Sequence, residues 1–159
     1  MNNLSFHITD ITANSIRANA SEIGLSVEEQ DTRIVIRITD NGLGMDAETA
    51  RCVTNPFYTT RTTRKVGLGL PFLIQNAEQT GGSVTLTSEP GKGTKVRAVF
   101  HSDHIDCPPW GDLPGTVALL ITGNPEINVC FEYRSGETGY SISTNEIKEI
   151  LDGVPLSLS

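Results

Sequence analysis

Three pairs of glycines, each separated by one residue, constrain this chain more than any other sequence feature. Each pair falls where a predicted helix or strand begins or ends, and glycine there lets the backbone approach a ligand closely. A single pair indicates only a turn. Three pairs, together with the polar helix face described next, favour a ligand-binding site. The pairs are Gly42 and Gly44, Gly67 and Gly69, and Gly91 and Gly93.

Residues 4–20 are predicted to form an amphipathic helix. Its apolar residues recur at helical spacing, with Ser15 as the one interruption. Four polar residues stand three or four positions apart and so share one face, where they can act on one ligand. The simpler interpretation is a solvated surface. These residues are His7, Asp10, Asn14 and Arg17.

Alternating apolar residues predict two antiparallel hairpins, each with one buried face. Their strands cover 23–27 with 34–38, and 83–88 with 95–100. Between the hairpins, the sequence predicts a short helix at 47–53, an irregular Thr-rich stretch at 55–66, and a helix from Gly67–Leu70 to Gly81.

The composition changes after residue 102. Residues 103–115 are rich in Asp, Pro and Gly around Trp110, which predicts a linker. Beyond it we expect strands at 116–121, 127–133 and 140–142. Ser143 and Glu146 form a capping-box pattern for a last helix through Leu151. The predicted organisation is therefore a domain at 1–102, a linker at 103–115, and a small α+β appendage at 116–159.

Charge and hydropathy limit the partners of this chain. The formal net charge is -7, whereas nucleic acids and anionic membranes are bound by basic surfaces. The longest apolar stretch, 117–121, is far shorter than the roughly 20 residues that cross a bilayer. Three widely spaced cysteines predict neither a disulfide framework nor a zinc knuckle. We therefore expect a soluble cytoplasmic protein without nucleic-acid or membrane partners.

Five short motifs, in order, resemble those of the Bergerat-fold ATPases, which include gyrase B, the heat-shock chaperone, histidine kinases and mismatch-repair MutL proteins. The resemblance covers residues 3–101 and is closest to the histidine-kinase branch. The motifs are an asparagine box at Asp10–Ser15, a first glycine box at Asp40–Met45, a phenylalanine box at Asn55–Arg61, a second glycine box at Gly67–Leu70, and a third at Gly91–Thr94.

This resemblance implies a two-layer α/β sandwich with a mixed, mostly antiparallel sheet that binds ATP with Mg²⁺. The carboxylate of Asp40 suits adenine, because it accepts a hydrogen bond from the 6-amino group and repels the carbonyl oxygen of guanine. The family pattern implies that Thr94 reaches the same base edge. Asn14 would supply a neutral amide oxygen to Mg²⁺, which takes its other ligands from phosphates and water.

Four basic residues, Arg51, Arg61, Arg64 and Lys65, fall within fifteen positions, and the resemblance gives this basic cluster a role. Charge alone indicates a solvated loop, whereas the glycine context favours a lid over the phosphates. In this interpretation Arg61 or Lys65 offsets phosphate charge, and the second glycine box presents backbone N–H groups. The remaining cofactor-binding residues implied by the boxes are Gly42, Gly44, Met45, Thr60, Gly67, Leu68, Gly69 and Leu70.

Asp10 is the candidate catalytic residue. Related branches place a glutamate four residues before the magnesium asparagine, where it positions water or acts as a base. Aspartate is one methylene shorter, so contact with the attacking group needs a bridging water or a helix shift. His7, one turn earlier, is predicted to orient or pack rather than to accept a phosphoryl group.

The leading hypothesis is a stand-alone histidine-kinase-like protein that phosphorylates an unidentified protein partner or hydrolyses ATP slowly. The alternative is a non-catalytic ATP-sensing module that binds a protein partner. A dimer clamp like the mismatch-repair proteins ranks last, because it needs a long lid and a transducer domain.

Overall fold

A single sheet of six strands organises the described part of the chain, residues 3–54 and 69–151 of this computed structural model. In chain order the elements are α1 (Leu4–Arg17), β1 (Glu22–Gln30), β2 (Arg33–Asp40), α2 (Ala47–Thr54), α3 (Gly69–Gln79), β3 (Ser83–Glu89), β4 (Gly93–His101), α4 (Leu113–Gly123), β5 (Asn128–Ser135), β6 (Thr138–Ser143) and α5 (Thr144–Leu151).

The strand order is β3-β4-β2-β1-β5-β6. Neighbouring strands are antiparallel except β1 and β5, which run parallel. The expected mixed, mostly antiparallel sheet is therefore confirmed. Most of the strands and helices lie within a few residues of the predicted ones.

One apolar core lies between the sheet and helices α1, α3 and α4. Every second strand residue faces this core from the sheet. In β1 these residues are Ile23, Leu25 and Val27, each at most 1% exposed. Leu4 and Ile8 of α1 pack into the same core. Burial of alternate strand residues against one helical stripe produces the predicted two-layer fold.

Helix α1 ends at Arg17, three residues before the predicted end. Asn19 adopts a left-handed backbone conformation with φ of 62°, which asparagine tolerates better than most residues. The resulting turn leaves the carbonyl of Ala18 free to accept the backbone N–H of Leu43 at 2.9 Å. The end of α1 thereby fixes the loop that follows β2.

The predicted strand at 116–121 is wrong, because these residues lie inside α4. A short apolar run fits a strand or a buried helix equally well by periodicity. The residues at the start of this segment favour the helix. The side chain of Asp112 accepts the backbone N–H of Gly115, and Pro114 stands in the first turn, where a missing N–H costs nothing.

The segment after residue 102 contributes to the same sheet. Strand β5 pairs with β1 along its length, and Phe131 lies opposite Leu25. The irregular stretch before α4 also contacts α1, since the carbonyls of Pro109 and Trp110 accept the backbone N–H groups of Leu4 and Ser5. The division into 1–102, a linker at 103–115 and 116–159 stays a prediction.

We expect Phe131→Ala to lower the free energy of unfolding by about 3–5 kcal/mol, because this ring is buried in the shared core. Denaturant unfolding followed by the fluorescence of Trp110 and by circular dichroism measures it. Since the sheet is shared, both signals should shift together. The control Cys130→Ala lies on the same strand but is exposed, and should change stability by less than about 0.5 kcal/mol. Two separate transitions would contradict the expectation of one cooperative unit.

Candidate functional site

A cavity of about 260 Å³ lies between α1, the start of α3, and the adjoining ends of β2 and β4. The loop after β2 closes one side. The side chains from α1 and the strands face one another across it. Its lining residues are Ile11, Asn14, Ser15, Arg17, Ala18, Ile38, Asp40, Leu43, Gly44, Met45, Leu70, Thr94 and Val96.

Asp40, the last residue of β2, presents its half-buried carboxylate to this cavity. Oδ2 accepts the hydroxyl of Ser15 at 2.6 Å, and Oδ1 accepts the backbone N–H of Gly42 at 2.8 Å. A carboxylate has about four lone-pair directions, so both oxygens keep acceptor capacity for a ligand. Asp40 is therefore oriented and still able to bind.

The first and third glycine boxes contact each other directly. A Cβ built on Gly44, which has φ of +72°, would lie 1.9 Å from the carbonyl oxygen of Glu89. A Cβ on Gly93, with φ of +124°, would lie 2.0 Å from the carbonyl oxygen of Asp40. At these two positions glycine allows backbone to approach backbone, and this contact forms one wall of the cavity.

Thr94 at the start of β4 is held from behind by Ser88 of β3. The two hydroxyl oxygens lie 2.8 Å apart, and Ser88 Oγ also accepts the backbone N–H of Met45 at 2.8 Å. Thr94 and Met45 both line the cavity. Ser88 therefore joins the loop after β2 to the strand that carries Thr94.

Asn14 and Arg17 line the cavity from α1. The Arg17 guanidinium donates to Oδ1 of Asn14, one turn earlier. An amide oxygen has two lone pairs, so one remains for a further partner. The cavity wall thus carries a guanidinium group next to a neutral oxygen that could ligate a metal ion.

Asp10 lies one turn before Asn14 on α1 but outside the cavity lining. Burial raises the pKa of its carboxyl, and the nearby charge of Arg17 opposes this rise. Asp10 is therefore one helical turn from a cavity-lining residue but is not itself among the residues that line the cavity.

His7 does not share a solvated face with the other polar residues of α1. Its ring is 1% exposed, and its centroid lies 5.3 Å from that of Phe72 and 6.4 Å from that of Phe100. Nε2 lies 2.8 Å from Nδ2 of Asn76 on α3, and Nδ1 has no partner among the residues that the structure describes. Burial lowers the pKa of His7 to about 4. His7 packs α1 against α3.

The described residues bring together six of the predicted binding residues around the cavity: Asn14, Asp40, Gly44, Met45, Leu70 and Thr94. Gly42 contacts Asp40 from the loop, and Gly69 is the first residue of α3. Their roles stay predictions. Five further predicted residues lie outside the described residues: Thr60, Arg61, Lys65, Gly67 and Leu68.

Several lining residues were not among those predicted. Ile11 and Ala18 share the helix face of Asn14, and Ile38 and Val96 stand two positions from Asp40 and Thr94 on their strands. Extending the helical and strand periodicities from the motif residues would have found all four. Ser15 and Arg17 stood in the predicted boxes and stripe, but their contacts required the fold.

The described residues, 3–54 and 69–151, contain no group of three or more His, Cys, Asp or Glu residues that could hold a metal ion. They also contain no helix that is long and apolar enough to span a membrane.

Comparison with known proteins gives one family match over most of the chain. The family model described as histidine kinase-, DNA gyrase B-, and HSP90-like ATPase matches residues 3–104. The matched region contains α1, β1 to β4, and every residue that lines the cavity.

Individual relatives agree with this match. The chain is 28% identical to the sensor histidine kinase YxdK of Bacillus subtilis, over 61% of this chain and 32% of that protein. It is 30% identical to sporulation kinase C of the same species, over 62% of this chain and 23% of that protein. The chain thus spans a third or less of the length of these relatives.

Among solved structures, the MutL ATPase domain of Aquifex aeolicus complexed with ADP aligns with a TM-score of 0.56 and 15% identity. The alignment covers 96% of this chain and 70% of that one. At this identity the likeness concerns the fold alone.

The burial of His7 predicts a stability loss in acid. Its pKa of about 4 lies below the ordinary 6.5, so the unfolded chain binds the proton first as pH falls. The stabilisation is complete above pH 6.5 and is lost toward pH 4, on the order of 3 kcal/mol. We expect His7→Gln, which does not titrate, to flatten the pH dependence of the free energy of unfolding in that range. The exposed His104→Gln should leave it unchanged, and equal profiles for all three proteins would contradict the prediction.

Proposed function

This chain belongs to the histidine kinase-, DNA gyrase B- and HSP90-like ATPases, and on that premise we propose that it binds Mg-ATP in the cavity beside Asp40 and transfers the γ-phosphoryl group to a protein partner or, slowly, to water. The observation that carries the proposal is the oriented carboxylate of Asp40 in the cavity wall. Relatives named as sensor histidine kinases support the kinase class.

In this proposal the adenine base enters the apolar part of the cavity and packs against Ile38 and Val96, which lie opposite each other on β2 and β4. Asp40 accepts a hydrogen bond from the 6-amino group, a bond to a charged acceptor. The hydroxyl of Thr94, held by Ser88, serves the neighbouring edge of the base. A guanine carbonyl oxygen at the same place would meet a carboxylate with no proton to donate.

Mg²⁺ is implied by the family, and the donors present fit it. Asn14 offers a hard oxygen in the cavity wall, with one lone pair left beside the bond from Arg17. Mg²⁺ in such sites takes few protein ligands and completes its shell with phosphates and water. When bound, the ion would neutralise charge that develops on the transferred phosphoryl group. Asn14 would therefore fix the metal-bearing end of the nucleotide.

The phosphates would lie between Arg17 and the start of α3. Arg17 supplies a guanidinium at the cavity wall, and the first turn of α3 supplies backbone N–H groups and the positive end of the helix dipole. The proposal further assigns Arg61 or Lys65 to a lid that offsets phosphate charge. Gly67, in the second glycine box, would present its backbone N–H to the phosphates, and Thr60 and Leu68 would also bind the nucleotide.

The phosphoryl acceptor in this proposal belongs to another protein. All three histidines of the chain lie in the described part, and none of them lines the cavity. His7 is buried against aromatic rings. Asp10 would orient or deprotonate the attacking group, through a bridging water or a small shift of α1, because its side chain is short.

A non-catalytic ATP sensor is the second candidate function. The position of Asp10 outside the cavity lining favours it, since a catalytic base must reach the attacking group. In this case nucleotide occupancy would alter the affinity for a protein partner without turnover.

We expect Asp40→Asn to weaken ATP binding about 10- to 100-fold and to narrow the preference for ATP over GTP, because the amide carries no charge and can donate to a carbonyl oxygen. Calorimetric titration with each nucleotide measures both effects. The control Asp46→Asn changes an exposed carboxylate that accepts the backbone N–H of Thr49, and should bind like the wild type. Equal affinities of the wild type for ATP and GTP would sink the adenine assignment.

We expect Asp10→Asn to retain or slightly improve ATP affinity, because it removes a negative charge near the phosphates. If Asp10 positions or deprotonates the attacking group, single-turnover hydrolysis or transfer should fall by roughly 10²- to 10⁴-fold. The measurement is made with and without a candidate partner, and with Asp46→Asn as the control. Unchanged turnover would remove Asp10 from the mechanism, and absence of turnover in the wild type would favour the sensor.

A further inference from the structure

We propose that Ser15 is a positioning residue for base recognition, because its hydroxyl fixes the carboxylate of Asp40 in the orientation that receives the 6-amino group of adenine. The inference rests on the proposed function and deepens it, since it assigns the nucleobase specificity of the site to a side chain that does not itself contact the base.

The contact between the two side chains is short and buried. Ser15 is 2% exposed, and its hydroxyl lies 2.6 Å from Oδ2 of Asp40, the usual length of a hydrogen bond to a charged oxygen. Because a carboxylate has no proton, the hydroxyl must be the donor. The single Ser15 proton is therefore committed to Asp40.

The two oxygens of Asp40 are held from different directions. Ser15 binds Oδ2 from α1, and the backbone N–H of Gly42 binds Oδ1 from the loop. Without Ser15, Gly42 would be the one residue in the described part of the chain that holds this carboxylate by a hydrogen bond. The carboxylate could then rotate to accommodate other base edges. The site would therefore discriminate less strongly in affinity against a base without a 6-amino group.

Ser15 also ties the two ends of the proposed nucleotide site to one helix. It directly follows Asn14, so one turn of α1 orients the base-binding carboxylate and carries the proposed metal ligand. A displacement of α1 relative to β2 would change both contacts together. In this proposal helix α1 therefore affects the binding of both the base, through Ser15 and Asp40, and the triphosphate, through Asn14.

The test compares ATP with purine riboside triphosphate, which carries hydrogen in place of the 6-amino group. Calorimetric titration of the full chain should show tighter ATP binding in the wild type. In Ser15→Ala we expect ATP affinity to fall about tenfold, while affinity for purine riboside triphosphate changes less than about twofold. The preference for ATP over GTP should narrow in the same variant.

Two further variants separate the hydrogen bond from packing. Ser15→Cys fills nearly the same volume with a weak donor, and should match Ser15→Ala. Ser5→Ala removes another buried hydroxyl of α1, which donates to the carbonyl of Trp110 at 2.7 Å, and should bind both nucleotides like the wild type. Thermal unfolding confirms that each variant is folded.

Equal losses for the two nucleotides in Ser15→Ala and Ser15→Cys, or no loss in either, would overturn the role of Ser15 and leave ATP binding through Asp40 intact. A wild type that binds both nucleotides equally would overturn the role of Asp40 as well.

Discussion

The close approach of two backbone segments shapes the candidate site. The loop after β2 packs onto the turn between β3 and β4, at distances that no Cβ would permit at Gly44 or Gly93. The backbone N–H of Gly91 donates to the carbonyl of Leu43 across the same junction at 2.7 Å. The pairing of β2 with β4 places Asp40 opposite Thr94, and this packing holds the segments on either side of the pair together, because the loop follows Asp40 and Gly93 precedes Thr94. The glycines of both boxes therefore act on the binding residues through the backbone.

Each polar side chain that is proposed to bind the nucleotide is restrained by a neighbouring side chain. Ser15 donates to Asp40, the hydroxyls of Ser88 and Thr94 are hydrogen-bonded, and Arg17 donates to Asn14. Ser15 and Ser88 restrain residues of other helices or strands, and Arg17 restrains a residue one helical turn earlier on α1. Polar groups that are restrained before a ligand arrives lose less conformational freedom on binding.

Much of the fold was accessible from sequence, because strand alternation and helical periodicity directly reflect burial. The predicted strand at 116–121 was wrong, because a short run of Val, Ala, Leu and Ile has no periodicity that distinguishes a strand from a helix. The start of this helix depends on Asp112, which lies outside the run. The boxes predicted which residues gather at the cavity, but not the contacts of Ser15 and Ser88. Ser15 and Asp40 are 25 positions apart and meet because α1 packs on the sheet beside the end of β2. Ser88 and Thr94 meet because the register of β3 and β4 places them opposite each other. The burial of His7 was likewise set by α3, which its own helix pattern does not encode.

The parallel pairing of β1 with β5 has a consequence for synthesis on the ribosome. Strand β1 gains its antiparallel neighbour β2 almost at once, but its other neighbour begins only at Asn128. At about 5–20 residues per second, the nascent chain waits on the order of 5–20 s for β5. During that time the backbone groups along one side of β1 have no native strand to pair with. Such an open edge is a template for another chain, so this is the interval in which association between nascent chains or binding by a chaperone matters most.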